Sequence, residues 1–195
     1  MRYWSRTRAR ILVALPPELR GALRATRSAL QRIESRVRKG LPQRLGGRLA
    51  PDALQCRLAT DADAPEFHAL REIRRLCGEN FFVLGVWHAR ELIACGTCVS
   101  VGPSDAAPFE HVLFAADYVA PHFRRRGVAS NLHRARIDAA ARRGTRIAYA
   151  WVSESNPASR GALAAASFVQ VPQARRPAWL NPPAPAHLLL EHRIA

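Results

Sequence analysis

Three arginines and a glycine stand together where a strand pattern gives way to a helix pattern. They belong to the run Arg124-Arg125-Arg126-Gly127-Val128-Ala129. The first N–H groups of a helix have no partner inside the helix, and the helix dipole makes that end positive. Gly127 has no Cβ, so a ligand can approach the main chain closely there. The sequence therefore predicts a phosphate-binding site at residues 124–127, which we call the arginine turn.

Three carboxylates near the arginine turn are candidates for a general base. Asp117 interrupts an otherwise apolar strand, Glu110 comes just before that strand, and Glu154 follows the next strand. Burial of a carboxylate costs free energy unless it has a partner, which makes Asp117 the most informative of the three. The alternative interpretation of Asp117 is a solvent-facing aspartate on a strand.

Two cysteines have a spacing that is typical of redox or metal sites. Cys95 and Cys98 form a C-x-x-C sequence, but it lies inside a strand pattern, where positions i and i+3 point to opposite faces. We therefore interpret both as small buried strand residues and expect no metal site. A disulfide framework is not expected at this chain length, which favours a reducing, cytoplasmic compartment.

The chain around these residues alternates strands and helices. Strands are predicted over 54–59, 81–88, 92–101, 111–119, 146–152, 168–171 and 187–194, and helices over 63–77, 127–143 and from Pro157 onward. The strand–helix–strand unit from 111 to 152 predicts a right-handed crossover with its two strands parallel. Val128, Leu132, Ala135 and Ala139 fall on one face of the crossover helix, which we expect to pack on the sheet.

Several of these motifs together resemble the GCN5-related N-acetyltransferase (GNAT) superfamily. The run from Arg124 to Ala129 matches its R/Q-x-x-G-x-G/A signature, and Tyr118-Val119-Ala120-Pro121 matches the strand end that leads into it. Asn156-Pro157-Ala158-Ser159 matches the N-x-x-A/S motif at the next strand-to-helix junction. The resemblance covers residues 53–195, which we take as the catalytic domain.

The resemblance implies an α+β fold with a mixed sheet that is splayed between the strands at 111–119 and 146–152. It implies acetyl-CoA as co-substrate, with its pantetheine arm in the splay beside Val119 and its pyrophosphate on the arginine turn, Val128 and Ala129. Asn156 would bind the pantetheine arm or orient the thioester. The acceptor would be an amine of a small molecule or a protein that attacks the thioester directly, since no covalent nucleophile arrangement is evident.

Two positions depart from the family pattern. Leu163 stands where the family often has a tyrosine that acts as general acid, and Ser167 replaces the glycine of the usual Gly-Phe pair. A thiolate can leave without a strong acid, so acyl transfer stays the first hypothesis. The alternative is a module that binds acyl-CoA as a sensor without turnover.

The N-terminal segment, residues 1–52, has a different composition. Residues 1–50 hold 13 basic against two acidic side chains, a balance of +11 out of the +15 of the whole chain. Over residues 17–39 an apolar stripe recurs at helical spacing among arginines. This basic helical extension would pack on the body or a partner, or would attach the protein peripherally to an anionic membrane. Nucleic acid is the less favoured partner, because no aromatic residues interleave with these arginines.

Overall fold

The computed structural model describes residues 49–60, 80–103, 105–182 and 186–194. The helices predicted over 17–39 and 63–77 lie outside these residues. The packed body already includes Leu49, which is buried and whose N–H donates to the carbonyl oxygen of Arg126. The body therefore reaches at least four residues ahead of the predicted boundary at residue 53.

Seven strands and two α-helices form the described body. The strands are β1 (Gln55–Leu58), β2 (Phe81–His88), β3 (Glu91–Val101), β4 (His111–Val119), β5 (Ile147–Ser153), β6 (Val169–Gln170) and β7 (His187–Arg193). The helices are α1 (Val128–Ala141) and α2 (Pro157–Ala164). These bounds lie within two residues of the predicted ones, and the element order agrees.

The strands make one mixed sheet in the order β1-β2-β3-β4-β5-β7-β6. All neighbours are antiparallel except β4 and β5, which are parallel because α1 carries the chain across the sheet between them. The parallel pairing predicted for these two strands and the α+β class with a mixed, splayed sheet are confirmed. The tight turn between β2 and β3 at Ala89 and Arg90 has positive φ at both residues, 48° and 68°, as a two-residue hairpin of this twist requires.

Two apolar clusters cover the two faces of the sheet. The larger one packs α1 and α2 on one face and includes Phe82, Phe114, Leu132 and Leu163. The smaller one lies on the opposite face, where the loop after β6 covers β4, β5 and β7 with Trp179 and Leu180.

The buried stripe of α1 differs from the prediction at one position. Val128, Leu132 and Ala139 are buried as expected, but Ala135 is only half-buried and Arg136 takes its place at 0 % exposure. A charged side chain inside the domain requires partners, and their positions bear on the candidate site.

Candidate functional site

The sheet opens into a fork between β4 and β5. The two strands pair from His111 and Ile147 up to Phe114 and Ala150, and no pairing continues beyond that point. Both strands run on, β4 to Val119 and β5 to Ser153. We call the stretches 115–119 and 151–153, which do not pair with each other, the open end of the sheet, and the edge that holds His111 and Ile147 the closed end.

The arginine turn lies next to the open end, between β4 and α1. Gly127 has φ 82° and ψ −3°, a left-handed conformation that favours glycine, and Arg125 has a φ of 61°. A turn with left-handed residues can direct successive N–H groups toward one concave side, which is a common geometry for binding anions. Helix α1 begins directly after Gly127, so its unpartnered first N–H groups are added at the same place.

Two side chains of the arginine turn are anchored to the body. Nε of Arg124 donates to the carbonyl oxygen of Val119 at 3.0 Å. Arg126 is buried and its guanidinium lies 5.9 Å from the Phe123 ring centre. These contacts fix the turn against the end of β4, while Arg125 is exposed to solvent.

The main chain of β4 presents polar groups to the fork. Ala120 donates its N–H to the carbonyl oxygen of Ile93 on β3 at 2.8 Å. Successive residues of a strand turn their main-chain groups to opposite sides, so Val119 directs its groups away from β3 and toward the fork. An extended chain in the fork could accept from the Val119 N–H, whereas the Val119 carbonyl oxygen already accepts from Arg124.

Asn156 lies at the second helix start beside the open end. Its side-chain oxygen accepts the N–H of Ser159 at 3.1 Å and caps α2, with Pro157 at the first helical position. The N-termini of α1 and α2 therefore both follow strands that end at the fork, and their dipoles add positive potential at one edge of the sheet.

Neither departure from the family pattern creates a new acid at the site. Leu163 is 2 % exposed and belongs to the larger apolar cluster, so α2 turns this position into the core. Ser167 has a φ of 62°, the left-handed conformation in which glycine is favoured after a helix. Ser167 therefore has a conformation that glycine adopts more readily.

The three carboxylate candidates lie in different places. Glu110 precedes β4 at the closed end, where its carboxylate pairs with Arg146 at 3.3 Å. Val119 lies nine positions further along the chain, a distance of about 30 Å at about 3.3 Å per residue in a strand. Glu154 follows β5 directly at the open end and is exposed, and Asp117 lies on the unpaired part of β4. The structure therefore brings Asp117 and Glu154 near the fork and leaves Glu110 at the far edge.

Asp117 is held by a basic residue that the sequence analysis did not identify. Its carboxylate forms an ion pair with the guanidinium of Arg136, and the Asp117 side chain is 34 % exposed. His133 lies one helical turn before Arg136, with Nε2 3.7 Å from the second carboxylate oxygen. Burial lowers the pKa of His133 to about 4, so at neutral pH the ring is uncharged and this contact is no ion pair. The sequence signal for the network was an arginine and a histidine on the sheet-facing side of α1, opposite an aspartate in an apolar strand.

The cysteine pair occupies the core of β3. Cys95 and Cys98 are both buried and free, and burial raises the pKa of the Cys98 thiol to about 11. Burial also raises the pKa of the Cys95 thiol. Thiols that stay protonated are poor nucleophiles and poor metal ligands. Among the residues that the structure describes, no group of three His, Cys, Asp or Glu side chains is arranged to hold a metal ion.

A mixed sheet that forks between its two parallel strands, with a helix that starts at an arginine- and glycine-containing turn beside the fork, is the architecture of the GNAT fold. The chain belongs to this acetyltransferase (GNAT) family, whose family model matches residues 49–168. The resemblance found in the sequence motifs is thereby confirmed.

Solved structures with the same fold come from several bacteria. The GNAT domain of S. lividans PAT is 18% identical with a TM-score of 0.57, over 72% of this chain and 90% of that one. Ribosomal-protein-alanine N-acetyltransferase from Brucella melitensis is 19% identical with a TM-score of 0.54, over 72% and 99%. Spermidine N-acetyltransferase from Vibrio cholerae, solved with CoA and spermine, is 14% identical with a TM-score of 0.52, over 72% and 94%. At these identities the likeness concerns the fold.

No curated protein sequence matches this chain closely enough to count as a relative. No helix in the described ranges is both long and apolar enough to cross a membrane.

Proposed function

We propose that this protein transfers an acetyl group from acetyl-CoA to an amine. The observation that carries the proposal is the coincidence of two features at one edge of the sheet: the fork between β4 and β5, and the arginine turn at the start of α1. One feature offers unpaired strand edges to an extended amide-containing arm, and the other offers N–H groups and positive charge to a pyrophosphate.

Each predicted binding residue has a part in this proposal. The N–H groups of Gly127, Val128 and Ala129, with the Arg124–Arg126 side chains, would hold the pyrophosphate. The main chain near Val119 would pair with the pantetheine arm. Asn156 uses its side-chain oxygen to cap α2, so its side-chain NH2 is the group that would donate to a carbonyl of the arm.

The proposed chemistry is direct transfer without a covalent enzyme intermediate. The amine nitrogen bonds to the thioester carbonyl carbon, the carbon–sulfur bond breaks, and the sulfur leaves with its electron pair as the thiolate of CoA, which takes up a proton from water. The amine loses one proton, and we assign its uptake, directly or through water, to Glu154. Glu154 is preferred to Asp117 because the Asp117 carboxylate is already engaged by Arg136. Glu110 is the least favoured of the three because of its place at the closed end.

The test replaces Gly127 with glutamate and measures acetyl-CoA binding by calorimetry. A carboxylate about 4 Å from a phosphate charge costs about 4 kcal/mol at an effective dielectric constant of about 20. Because about 1.4 kcal/mol corresponds to a tenfold change, we expect binding at least about 100-fold weaker after allowance for screening.

Gly144 provides the matched control. It has a φ of 79°, close to that of Gly127, and an added Cβ there would meet open space at the other end of α1. Gly144→Glu therefore carries the same new charge and a similar backbone strain, and it should leave acetyl-CoA affinity within about twofold. Equal affinities of the two variants would contradict the proposed phosphate site.

A non-catalytic acyl-CoA sensor is the second candidate, and the buried Leu163 favours it. Without a phenol at that position, the departing thiolate lacks the general acid that the family often provides. Thiol release during incubation with acetyl-CoA and a panel of small amines and lysine-containing peptides separates the two functions. Release above the hydrolysis background supports the transferase, whereas tight binding with no release across the panel supports the sensor.

A further inference from the structure

The buried side chain of Arg136 reaches from α1 into the sheet at one particular place. Its guanidinium contacts Asp117, the carbonyl oxygen of Thr97 and, at 3.4 Å, Sγ of Cys98. It also lies 4.0 Å from the centre of the Phe114 ring. An arginine with no exposed surface is tolerated only when acceptors and counter-charge surround it, and all of these lie on β3 and β4.

The partners of Arg136 surround a β-bulge. Cys95 pairs with Tyr118 and Thr97 pairs with Ala115, so residues 116 and 117 of β4 stand opposite the single residue Gly96 of β3. A bulge interrupts the ladder and leaves main-chain groups without their usual strand partners. Arg136 donates to the Thr97 carbonyl at this point, and its Nη2 lies 3.4 Å from the Ala115 carbonyl oxygen. The guanidinium therefore replaces ladder hydrogen bonds that the bulge removes.

Gly96 makes room for this arrangement. A Cβ at residue 96 would lie 2.7 Å from Nη1 of Arg136 and 2.9 Å from Oδ1 of Asp117, closer than real side chains approach. The ion pair thus occupies the space where any other residue would place its side chain. Arg136, Asp117 and Gly96 form one unit, which we call the bulge clamp.

The bulge and the fork begin at neighbouring residues. Pairing of β4 with β5 ends at Phe114, and the bulge follows directly after Ala115. A bulge bends its strand and increases the local twist. A bend at this point turns the stretch from 115 to 119 away from β5, so the clamp lies where the fork opens.

We infer that Arg136 and Asp117 are positioning residues, which hold the bulged part of β4 in the shape that receives the coenzyme arm. The inference rests on the proposed function, since it assigns the open edge of β4 to acyl-CoA. Asp117 would act indirectly, by holding Arg136 against the main chain of the bulge, and proton uptake would belong to Glu154. Arg136 acts in the same way and touches no reacting atom.

Two substitutions of Asp117 separate positioning from proton uptake. Asp117→Asn keeps an oxygen that can accept from Arg136, whereas Asp117→Ala removes it. Because Asp117→Asn keeps the acceptor but removes the counter-charge of Arg136, we expect its acetyl-CoA affinity to lie between those of wild type and Asp117→Ala, with an unchanged pH–rate profile. For Asp117→Ala we expect at least about tenfold weaker binding. If Asp117→Asn instead lowers kcat by about 100-fold with intact coenzyme affinity, Asp117 is the base and the inference is overturned.

A third variant disturbs the clamp without removing a charge. Gly96→Ala pushes against Arg136 and Asp117, and we expect it to weaken acetyl-CoA binding and to speed hydrogen exchange of the amides at 115–119. Gly161→Ala is the control, because a Cβ at that position meets nothing within 4 Å. Hydrogen exchange of the amides at 115–119 is measured without coenzyme, so it reports on the conformation of the strand independently of activity.

Failure of this inference can be told from failure of the proposed function. A wild-type protein that binds no acetyl-CoA overturns the proposed function, and with it the assignment of the β4 edge. Tight wild-type binding, combined with unchanged affinity and exchange in folded Asp117→Ala and Gly96→Ala, overturns the inference alone. Melting temperatures of all variants establish that each one is folded at the temperature of the measurement.

Discussion

Glu154 and Glu110 have the same side chain and differ in position, which makes them a matched pair. We expect Glu154→Gln to lower kcat by about 100-fold, within the range that general bases contribute, with acetyl-CoA affinity unchanged. Glu110→Gln loses an ion pair with Arg146, whose side chain is 77 % exposed, and such surface pairs contribute little. Its kcat should stay within twofold of wild type. Steady-state thiol release measures both, and equal rates for the two variants would exclude Glu154 as the base.

His133 makes the stability of the body depend on pH. Its folded pKa of about 4 lies below the usual 6.5 because burial disfavours the charged ring. The unfolded chain therefore binds more protons between these values, so stability is full above about pH 6.5 and falls as pH decreases toward 4. At pH 5 the loss from this residue is about 2 kcal/mol.

Urea unfolding from pH 7.5 to pH 5 measures this effect. His133→Asn should have a lower free energy of unfolding at pH 7.5, because the ring stacks on Phe114 and contacts Phe168. Between pH 7.5 and pH 5, the free energy of unfolding of His133→Asn should fall by about 2 kcal/mol less than that of wild type. An identical slope in both proteins would mean that His133 does not titrate in this way.

The residue-level predictions from sequence rest on patterns that are local in the chain. The arginine turn was predicted because charge, glycine and the start of a helix are adjacent in the chain. Arg136 was missed because α1 was assigned by apolar spacing, and the spacing of Ala135 satisfied that rule. A buried ion pair between a helix and a strand 19 residues earlier depends on register, which no local pattern contains.

At the scale of elements, strand and helix order followed from periodicity, whereas the bulge of β4 did not. One extra residue in a strand changes no composition and shifts alternation by a single position, so it is not visible in a short apolar run such as His111–Val119. The fork itself was predicted from the family resemblance, not from the residues that line it. Its confirmation by the strand pairing shows that the signature motifs carry information about the sheet beyond the turn.

Helix α2 contains an interior glycine that the fold does not require. Gly161 lies in the middle of α2, and an added Cβ would meet nothing within 4 Å. Gly161→Ala should therefore raise the free energy of unfolding by about 1 kcal/mol. Gly85→Ala is the opposite case, because a Cβ there would overlap the Trp87 indole, and it should destabilise the protein. Urea denaturation measures the free energy of unfolding of both variants. A Gly161→Ala variant that is less stable than wild type would contradict the expectation.

At the scale of the whole molecule, charge is concentrated in the part that precedes the described body. Residues 1–48 carry 13 basic and two acidic side chains, whereas the rest of the chain holds 17 basic and 13 acidic ones. Within the body, Asp117, Glu110 and Glu191 are each paired with arginines. The sequence could predict this division of charge but not the contacts of residues 1–48, since a basic amphipathic pattern is compatible with packing on the body or a protein partner and with an anionic membrane.

Vesicle attachment distinguishes these partners. A chain that starts at Leu49 keeps the buried side chain and the hydrogen bond to Arg126, so it should bind acetyl-CoA as the full chain does. The full chain should sediment with phosphatidylserine-containing vesicles at about 0.01 M salt and detach at about 1 M. This is expected because the Debye length shortens from about 30 Å to about 3 Å between these salt concentrations. Neutral phosphatidylcholine vesicles are the control. Two results would exclude an electrostatic anchor in residues 1–48: sedimentation of both chains to the same extent, or sedimentation of the full chain with neutral vesicles to the same extent as with anionic ones. The predicted helix at 17–39 would then pack on the body or on a protein partner.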